Sequence, residues 1–412
     1  MTTTQTASST APIDPKAFNL FDIPDDYYLD PLPYFKALRD EDPIHRNADG
    51  SVLLTRYDDI ISVWRDLSGV VNREEAYTKK FGPGPLLEHH TTSMLFRDPP
   101  DHDRLRTIVN PFFSQKSIER LRQATVDIVE KLLVDIEKKR DIDFIVDFSS
   151  KIPVQLVCDI FGVPREEGPI IRDLGAQVLL PLNPTVTQEV IDAGHVATQK
   201  FKDYLLQYIN LWRSRPMEET PSNIISALVA AEKRGEDISE NEMAHLCILV
   251  LNGGHETTTN LIGLSTLALM HHPEQMALMA SDELNVPVAV EECIRYCSPL
   301  QLQGRRTTRE VAVGSGLIPA NTEVIFSVGA GNRDERVFDQ PNAFDLTRKP
   351  NLHLAFGSGI HVCLGRPLAR LELAVALPAL CKRFPNMRLI EPPVFNKNAR
   401  FRGIQKMKIN LY

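Results

Sequence analysis

Apolar residues recur at helical spacing through most of the middle of the chain. Between about residues 115 and 300 this period dominates, and Ile118, Leu121, Val126, Ile128 and Leu132 fall near one face of a predicted helix. The longest predicted helix covers residues 239–271. Ser239 is its N-cap, and Glu242 three residues later completes a capping box. Pro273 ends this helix or begins the next. Its most apolar run, residues 247–251, is cut off by Asn252 and two adjacent glycines, far short of the ~20 residues that span a bilayer. A further helix is predicted over 368–383, with Pro378 expected to bend it or end it early.

The period shortens beyond residue 310. Val311 and Val313 alternate with smaller or polar neighbours, residues 314–316 turn, and 324–328 read as a strand. Ile404, Met407, Ile409 and Leu411 alternate again near the C-terminus. The pattern predicts a mainly α fold (α+β) with small β-sheets. Residues 1–15, rich in Thr and Ser, are expected to form a disordered tail, and 16–412 one domain, because the chemically suggestive motifs are scattered from residue 98 to 365.

Bulk properties narrow the function classes. The 412 residues can bury a large core together with a cofactor, and the net charge of -8 argues against nucleic acid as partner. Six cysteines (158, 247, 293, 297, 363 and 381) include no Cys-x-x-Cys pair, so neither a disulfide framework nor a zinc site is indicated. Cys293 and Cys297 read as core thiols. The N-terminal residues lack the basic and apolar regions of a signal peptide. A cytoplasmic monomer without a membrane anchor is the expectation.

One ten-residue stretch changes the picture. Phe356-Gly357-Ser358-Gly359-Ile360-His361-Val362-Cys363-Leu364-Gly365 places a single cysteine in a glycine-rich loop that runs into a helix. Glycines let backbone approach a flat ligand closely. A sulfur near a helix N-terminus is favoured as an anion, and a thiolate so held is a good axial ligand for haem iron. A lone cysteine is usually an inert small hydrophobe, but here Phe-x-x-Gly-x-x-x-Cys-x-Gly is complete. The loop resembles the haem-binding loop of the cytochrome P-450 family. The resemblance makes Cys363 the iron ligand and Phe356, Gly357 and Gly365 parts of the haem cradle.

A second motif lies inside the longest helix. Gly253-Gly254-His255-Glu256-Thr257-Thr258 carries two glycines that cost roughly 1 kcal/mol each against alanine. Tight helix packing is one explanation. The other is a local opening, in which the Thr257 hydroxyl bonds to the Gly253 carbonyl four residues back and leaves a polar notch for dioxygen and water. The stretch is similar to the family's acid–alcohol motif. The resemblance gives Glu256 and Thr257 the catalytic task of delivering protons so that the O–O bond breaks productively.

Other elements gain meaning only from the resemblance. Glu292 and Arg295 sit three apart on a helix, a pair that alone decorates any solvated surface. In the family such a pair is buried and joined by a further arginine, here Arg348, as a structural crosslink. His102, Arg106, Arg305 and His361 match the family's contacts to the haem propionates, with Arg306 the alternative to Arg305.

The implied fold is the family's triangular helical prism, with haem b between the long helix and the helix after Cys363. The implied reaction is monooxygenation of a hydrophobic small molecule (a terpene, aromatic or steroid-like compound) by O2. NAD(P)H would supply the electrons through a separate ferredoxin of the 2Fe-2S type and its reductase. No bound flavin is expected. Arg104, Lys116, Arg120 and Arg366 form a candidate basic patch for that partner.

The substrate pocket is expected to draw on Leu249, Val250 and Gly253, and on Pro299 and Leu300 within 299–303. Residues 82–92 and 179–187 would form a lid and 395–401 a far wall. Gln303 or Arg402 would hold any polar end of the ligand. An H2O2-driven peroxygenase would typically lack the acid–alcohol pair, and a non-enzymatic haem sensor of gas or ligand would typically carry an output domain. These are the alternatives, with a haem-free scaffold as a third.

Overall fold

The computed structural model describes residues 13–65, 69–71, 74–216 and 221–412. Among the helices of the described residues, those that bear on the site are α1 (Pro85–Thr92), α2 (Asp101–Val109), α3 (Arg122–Glu137), α4 (Lys151–Phe161), α5 (Gly168–Leu179), α6 (Gln188–Arg213), α7 (Glu240–His271), α8 (Val286–Cys297) and α9 (Arg366–Arg383). The fold is helix-rich with small sheets, as the hydrophobic pattern predicts. Residues 1–12 of the expected tail lie outside the described residues. Pro15 is ordered, because the Asp14 carboxylate caps a short helical turn by accepting from the Lys16 N–H at 3.0 Å.

α7 is the axis of the molecule and packs against α4, α5, α6, α8 and α9. Ser239 and Glu242 close the capping box at its start, each side chain accepting from the other's backbone N–H. Leu246, Leu251, Ile262 and Leu269 of α7 share one buried core with Leu373, Leu377 and Leu380 of α9 and with Ile128 and Leu133 of α3. No helix among the described residues is long and apolar enough to cross a membrane.

Three local expectations need correction. The predicted 118–132 helix is two helices, Gln115–Glu119 and α3, interrupted at Arg120 and Leu121. Pro378 does not end α9, which continues to Arg383. Leu373, Ala376, Leu377, Leu380 and Cys381 are buried on both sides of it, so packing holds the helix against the missing N–H bond. The strand predicted over 324–328 stops at Ser327, whose hydroxyl caps a short helix beginning at Val328.

That strand belongs to a five-stranded sheet, ordered β1-β2-β5-β4-β3, made of β1 (Ile44–Arg46), β2 (Val52–Leu54), β3 (Gly69–Val70), β4 (Leu302–Thr307) and β5 (Glu323–Ser327). β2 and β5 run parallel, whereas β4 pairs antiparallel with β5, Arg305 opposite Val324. The alternating C-terminal residues form strands Ile404–Lys406 and Lys408–Asn410 in two small sheets.

A buried ion triad ties α8 to the chain that follows the sheet. Arg295 donates to both oxygens of Glu292 at 2.7 Å, and Arg348 donates to Glu292 at 3.2 Å. The Glu292 and Arg295 side chains are fully excluded from solvent. The remaining capacity is used locally: Arg295 donates to the carbonyls of Asn332, Pro341 and Ala343, while Glu292 also accepts from Asn351 and the Asp345 N–H. Two cations on one buried carboxylate survive desolvation only because every donor is satisfied. Glu292→Ala, which strands both guanidinium groups, is expected to lower the unfolding free energy by on the order of 3–5 kcal/mol; equilibrium denaturation against the parent protein measures it.

Candidate active site

The Cys363 loop is built from two tight turns. Gly357 and Gly359 adopt φ of +68° and +71°, a region costly for residues with a Cβ. The Cys363 N–H donates to the Phe356 carbonyl at 2.8 Å, closing the loop on itself. The backbone N–H groups of Gly365 and Arg366, at the head of α9, favour the anionic form of its sulfur. Burial pushes the thiol above its ordinary range, while those two donors and the Arg106 and Arg366 charges pull it down. The residue is nevertheless accessible to solvent. Arg106 supports the loop from α2, donating to the carbonyls of Ile360 and Val362 at 2.6 Å each.

α7 runs unbroken through Gly253 and Gly254, so the local opening expected from sequence is not an interruption of the helix, and the two glycines are tolerated for different reasons. A Cβ at Gly254 would lie 2.6 Å from Val157 Cγ1 on α4, so this glycine permits close helix packing. A Cβ at Gly253 would meet nothing within 4 Å, and Gly253 is exposed in the middle of an otherwise buried helix. Next to this opening the Thr257 hydroxyl donates to the Gly253 carbonyl at 2.8 Å. Glu256 Oε2 is buried without a partner, and desolvation raises its carboxyl from 4.5 to about 7. A neutral acid with that value is suited to proton transfer near neutrality.

Between the Cys loop and α2 four polar groups converge. The His102 and His361 rings lie 4.3 Å apart, and Nε2 of each is buried without a hydrogen bond. Asp103 bonds His102 Nδ1 at 2.7 Å. Burial, then the charges of Arg305, His102 and Arg106, push His361 down to about 3. Of the two adjacent arginines it is Arg305 whose charge reaches His361. Two unpartnered imidazole nitrogens among cations make a donor set that fits carboxylates, which would reverse the shift.

The expected pocket segments are drawn together in part. Gln301 N–H donates to Arg400 O and Arg402 N–H to Pro299 O, both at 2.8 Å, and Leu300 pairs with Phe401. Leu300 and Phe401 share an apolar cluster with Leu86 of α1 and Leu179 of α5. Leu249 is half-buried, whereas Val250 belongs to the main core. Arg402 is not free to hold a ligand: it donates to the carbonyls of Tyr28 and Leu29 and covers the Phe395 ring at 4.6 Å. Arg104 is likewise spent, on Glu242 at 2.5 Å and Asp101 at 3.2 Å. Lys116, Arg120 and Arg366 remain exposed.

A helix-rich fold that presents one thiol at a helix head and an acid–alcohol pair on the neighbouring long helix defines a haem-thiolate type of site. The chain belongs to the cytochrome P-450 family: the sequence model of that family, "Cytochrome P450", matches residues 50–283 and 286–393. It is 33% identical to the polyketide biosynthesis cytochrome P450 PksS of Bacillus subtilis (strain 168), covering 94% of this chain and 97% of that one. It is 36% identical to nocardicin C N-oxygenase of Nocardia uniformis subsp. tsuyamanensis, covering 89% and 91%. Among solved structures it resembles CalO2 (TM-score 0.89, 29% identity, 96% and 99% covered). It also resembles CYP109E1 of Bacillus megaterium in complex with testosterone (TM-score 0.84, 27% identity, 94% and 100% covered). The protein is a P-450 monooxygenase, and membership of the family implies haem.

The two glycines should respond oppositely to a methyl group. Gly254→Ala is expected to cost about 1–3 kcal/mol by overpacking Val157, partly offset by about 1 kcal/mol of helix propensity. Gly253→Ala carries only the favourable part and should raise the denaturation midpoint. Glu256 predicts a pH effect. Its folded value is raised, so between pH 4.5 and about 7 the unfolded state releases a proton that the native state keeps. Stability conferred by the neutral form is full below 4.5 and is lost as pH rises. Glu372, buried and unpartnered on α9, acts in the same direction, so the test compares variant with parent. Glu256→Gln should flatten the decline by on the order of 3 kcal/mol in unfolding free energies measured across that window.

Proposed function

We propose that the protein inserts one atom of O2 into a hydrophobic small molecule, terpene, aromatic or steroid-like, using haem b and no bound flavin. The observation that carries this reading is the pairing of two features on helices that pack together: exposed Cys363 at the head of α9, and Glu256 and Thr257 beside the exposed Gly253 on α7. Haem, when bound, supplies the dioxygen activation and electron transfer that no side chain can.

Each residue then has a task. Cys363 would supply its sulfur as ligand, its anionic form favoured by the N–H groups of Gly365 and Arg366. His102 and His361 offer free ring nitrogens to the propionates, with Arg305 and Arg106 supplying positive charge nearby. Glu256 holds a proton near neutrality, and Thr257, fixed by its bond to Gly253 O, orients the hydroxyl through which that proton passes. The apolar cluster of Leu86, Leu179, Leu300 and Phe401, with Leu249 and Val250, favours a substrate of low polarity. Testosterone in one structural neighbour supports the steroid-like part of the range. NAD(P)H electrons arrive through a separate 2Fe-2S ferredoxin and its reductase, and exposed Lys116, Arg120 and Arg366 offer the acidic partner a basic face.

The reduced, CO-bound absorption spectrum tests the ligand. The parent protein should show the red-shifted band of thiolate ligation, and Cys363→Ser should lose it; a Soret band unchanged by that substitution overturns the reading. Thr257→Ala should go on consuming NAD(P)H but release peroxide, with product formation reduced on the order of 100-fold. Product and peroxide per NAD(P)H, measured together, check this, and unaltered coupling rules out the assigned proton role.

A further inference from the structure

Glu291 stands beside the ion triad but does different work. Arg370 of α9 donates to it bidentately, Nε to Oε1 at 2.6 Å and Nη2 to Oε2 at 2.8 Å. His353 Nε2 lies 3.1 Å from Oε2 of the same carboxylate. Burial pushes the Glu291 carboxyl up, but the bonds from Arg370 and His353 outweigh it and hold the value at about 2. The Glu291 carboxylate stays charged across the working pH range. What it carries is aromatic. The Arg370 guanidinium sits 4.7 Å from the centroid of the Phe356 ring, and the His353 ring meets Phe356 edge-on at 5.6 Å. Phe356 opens the Cys363 loop, and its carbonyl accepts the Cys363 N–H at 2.8 Å.

The arrangement is specific. A bidentate fork fixes the guanidinium plane in a way a lone lysine cannot. A cation over an aromatic face is attracted to the ring quadrupole, by more when partly desolvated. Glu291 and Arg370 are 26% and 38% exposed and His353 4%, so the cluster spans the boundary between core and solvent. An exposed ion pair without the ring would contribute little. Its geometry against Phe356 is what gives it consequence.

We propose that Glu291, Arg370 and His353 are positioning residues for the Cys363 loop. They hold the Phe356 ring through a guanidinium against it and an imidazole meeting it edge-on, so that the residue bonding the Cys363 N–H cannot drift. The inference rests on the haem-thiolate reading of Cys363. It predicts that loosening the clamp loosens the cofactor even where the fold survives.

The test uses the holoenzyme and two readouts besides activity: the rate of haem transfer to excess apomyoglobin, and the division of the reduced CO spectrum between thiolate- and thiol-ligated bands. Thermal unfolding is followed in parallel. Glu291→Gln and Arg370→Gln should each speed haem transfer by about tenfold and raise the thiol-ligated share, within the range of a lost cation–π contact. Combined with Phe356→Leu, which removes the ring, neither should have a further effect, because contacting residues couple. Arg370→Lys, which keeps the charge, should fall between parent and Arg370→Gln, and this arm also serves if Phe356→Leu retains no haem. Transfer at the parental rate in Glu291→Gln and Arg370→Gln overturns the proposal. So does an undiminished effect in the Phe356→Leu background, or an Arg370→Lys that matches Arg370→Gln. A parent protein lacking the thiolate band would overturn the haem-thiolate reading instead; a parent that shows it alongside inert variants would overturn only the clamp.

Discussion

Glu292 is the point from which the site hangs. Its carboxylate, without solvent contact, is neutralised by Arg295 and Arg348, and those guanidinium groups reach out to the carbonyls of residues 332–343. The segment between the sheet and the Cys363 loop has little regular structure of its own, so its shape is set by these donors. The order propagates by hydrogen bonds. Asn332 accepts from the Leu354 N–H at 2.7 Å, Gly357 donates back to Leu354 O, and Cys363 donates to Phe356 O. A buried ion pair is a poor device for net stability. As a means of giving an irregular segment one conformation it works, because any displacement would strand a charge.

α7 shows the opposite economy. Most of this helix is core, yet at residues 252–257 it tolerates two glycines, an unpartnered Asn252 amide and an unpaired carboxyl. Each is a local cost that the surrounding packing must absorb. Strain and unsatisfied polarity of this kind concentrate where chemistry happens. The two glycines divide the labour: one lets α4 approach and the other leaves the helix face uncovered beside Thr257.

Electrostatics divide the neighbourhood in a similar way. On the α2 side, His102, His361, Arg305 and Arg106 converge beside Asp103, a cationic niche suited to acid groups. On the α7 side, Glu256 has no cation to settle it and stays near neutral charge through burial alone. The Cys363 thiol is pushed up by burial and drawn down by helix-head donors and the charges of Arg106 and Arg366. A ligand of a cationic metal would tip that balance toward the thiolate.

Much of this was legible in the amino-acid order because it depends on short separations. The capping box at Ser239 and Glu242, the Thr257 bond to Gly253 four residues back, and the Glu292–Arg295 contact are all set within one or two helical turns, where spacing fixes geometry. The family loop around Cys363 was legible for the same reason. Other features depend on which distant groups the fold brings alongside. Arg104 looked free until Glu242, 138 residues away, neutralised it, and Arg402 was spent on the carbonyls of Tyr28 and Leu29. Glu291 was indistinguishable from any surface acid until α9 supplied Arg370 across 79 residues. Pro378 read as a helix breaker until packing on both sides of it outweighed the lost bond. Local covalent spacing determines which groups can meet within an element; only the tertiary structure decides which charges are already paired, because pairing depends on through-space neighbours that sequence separation does not encode.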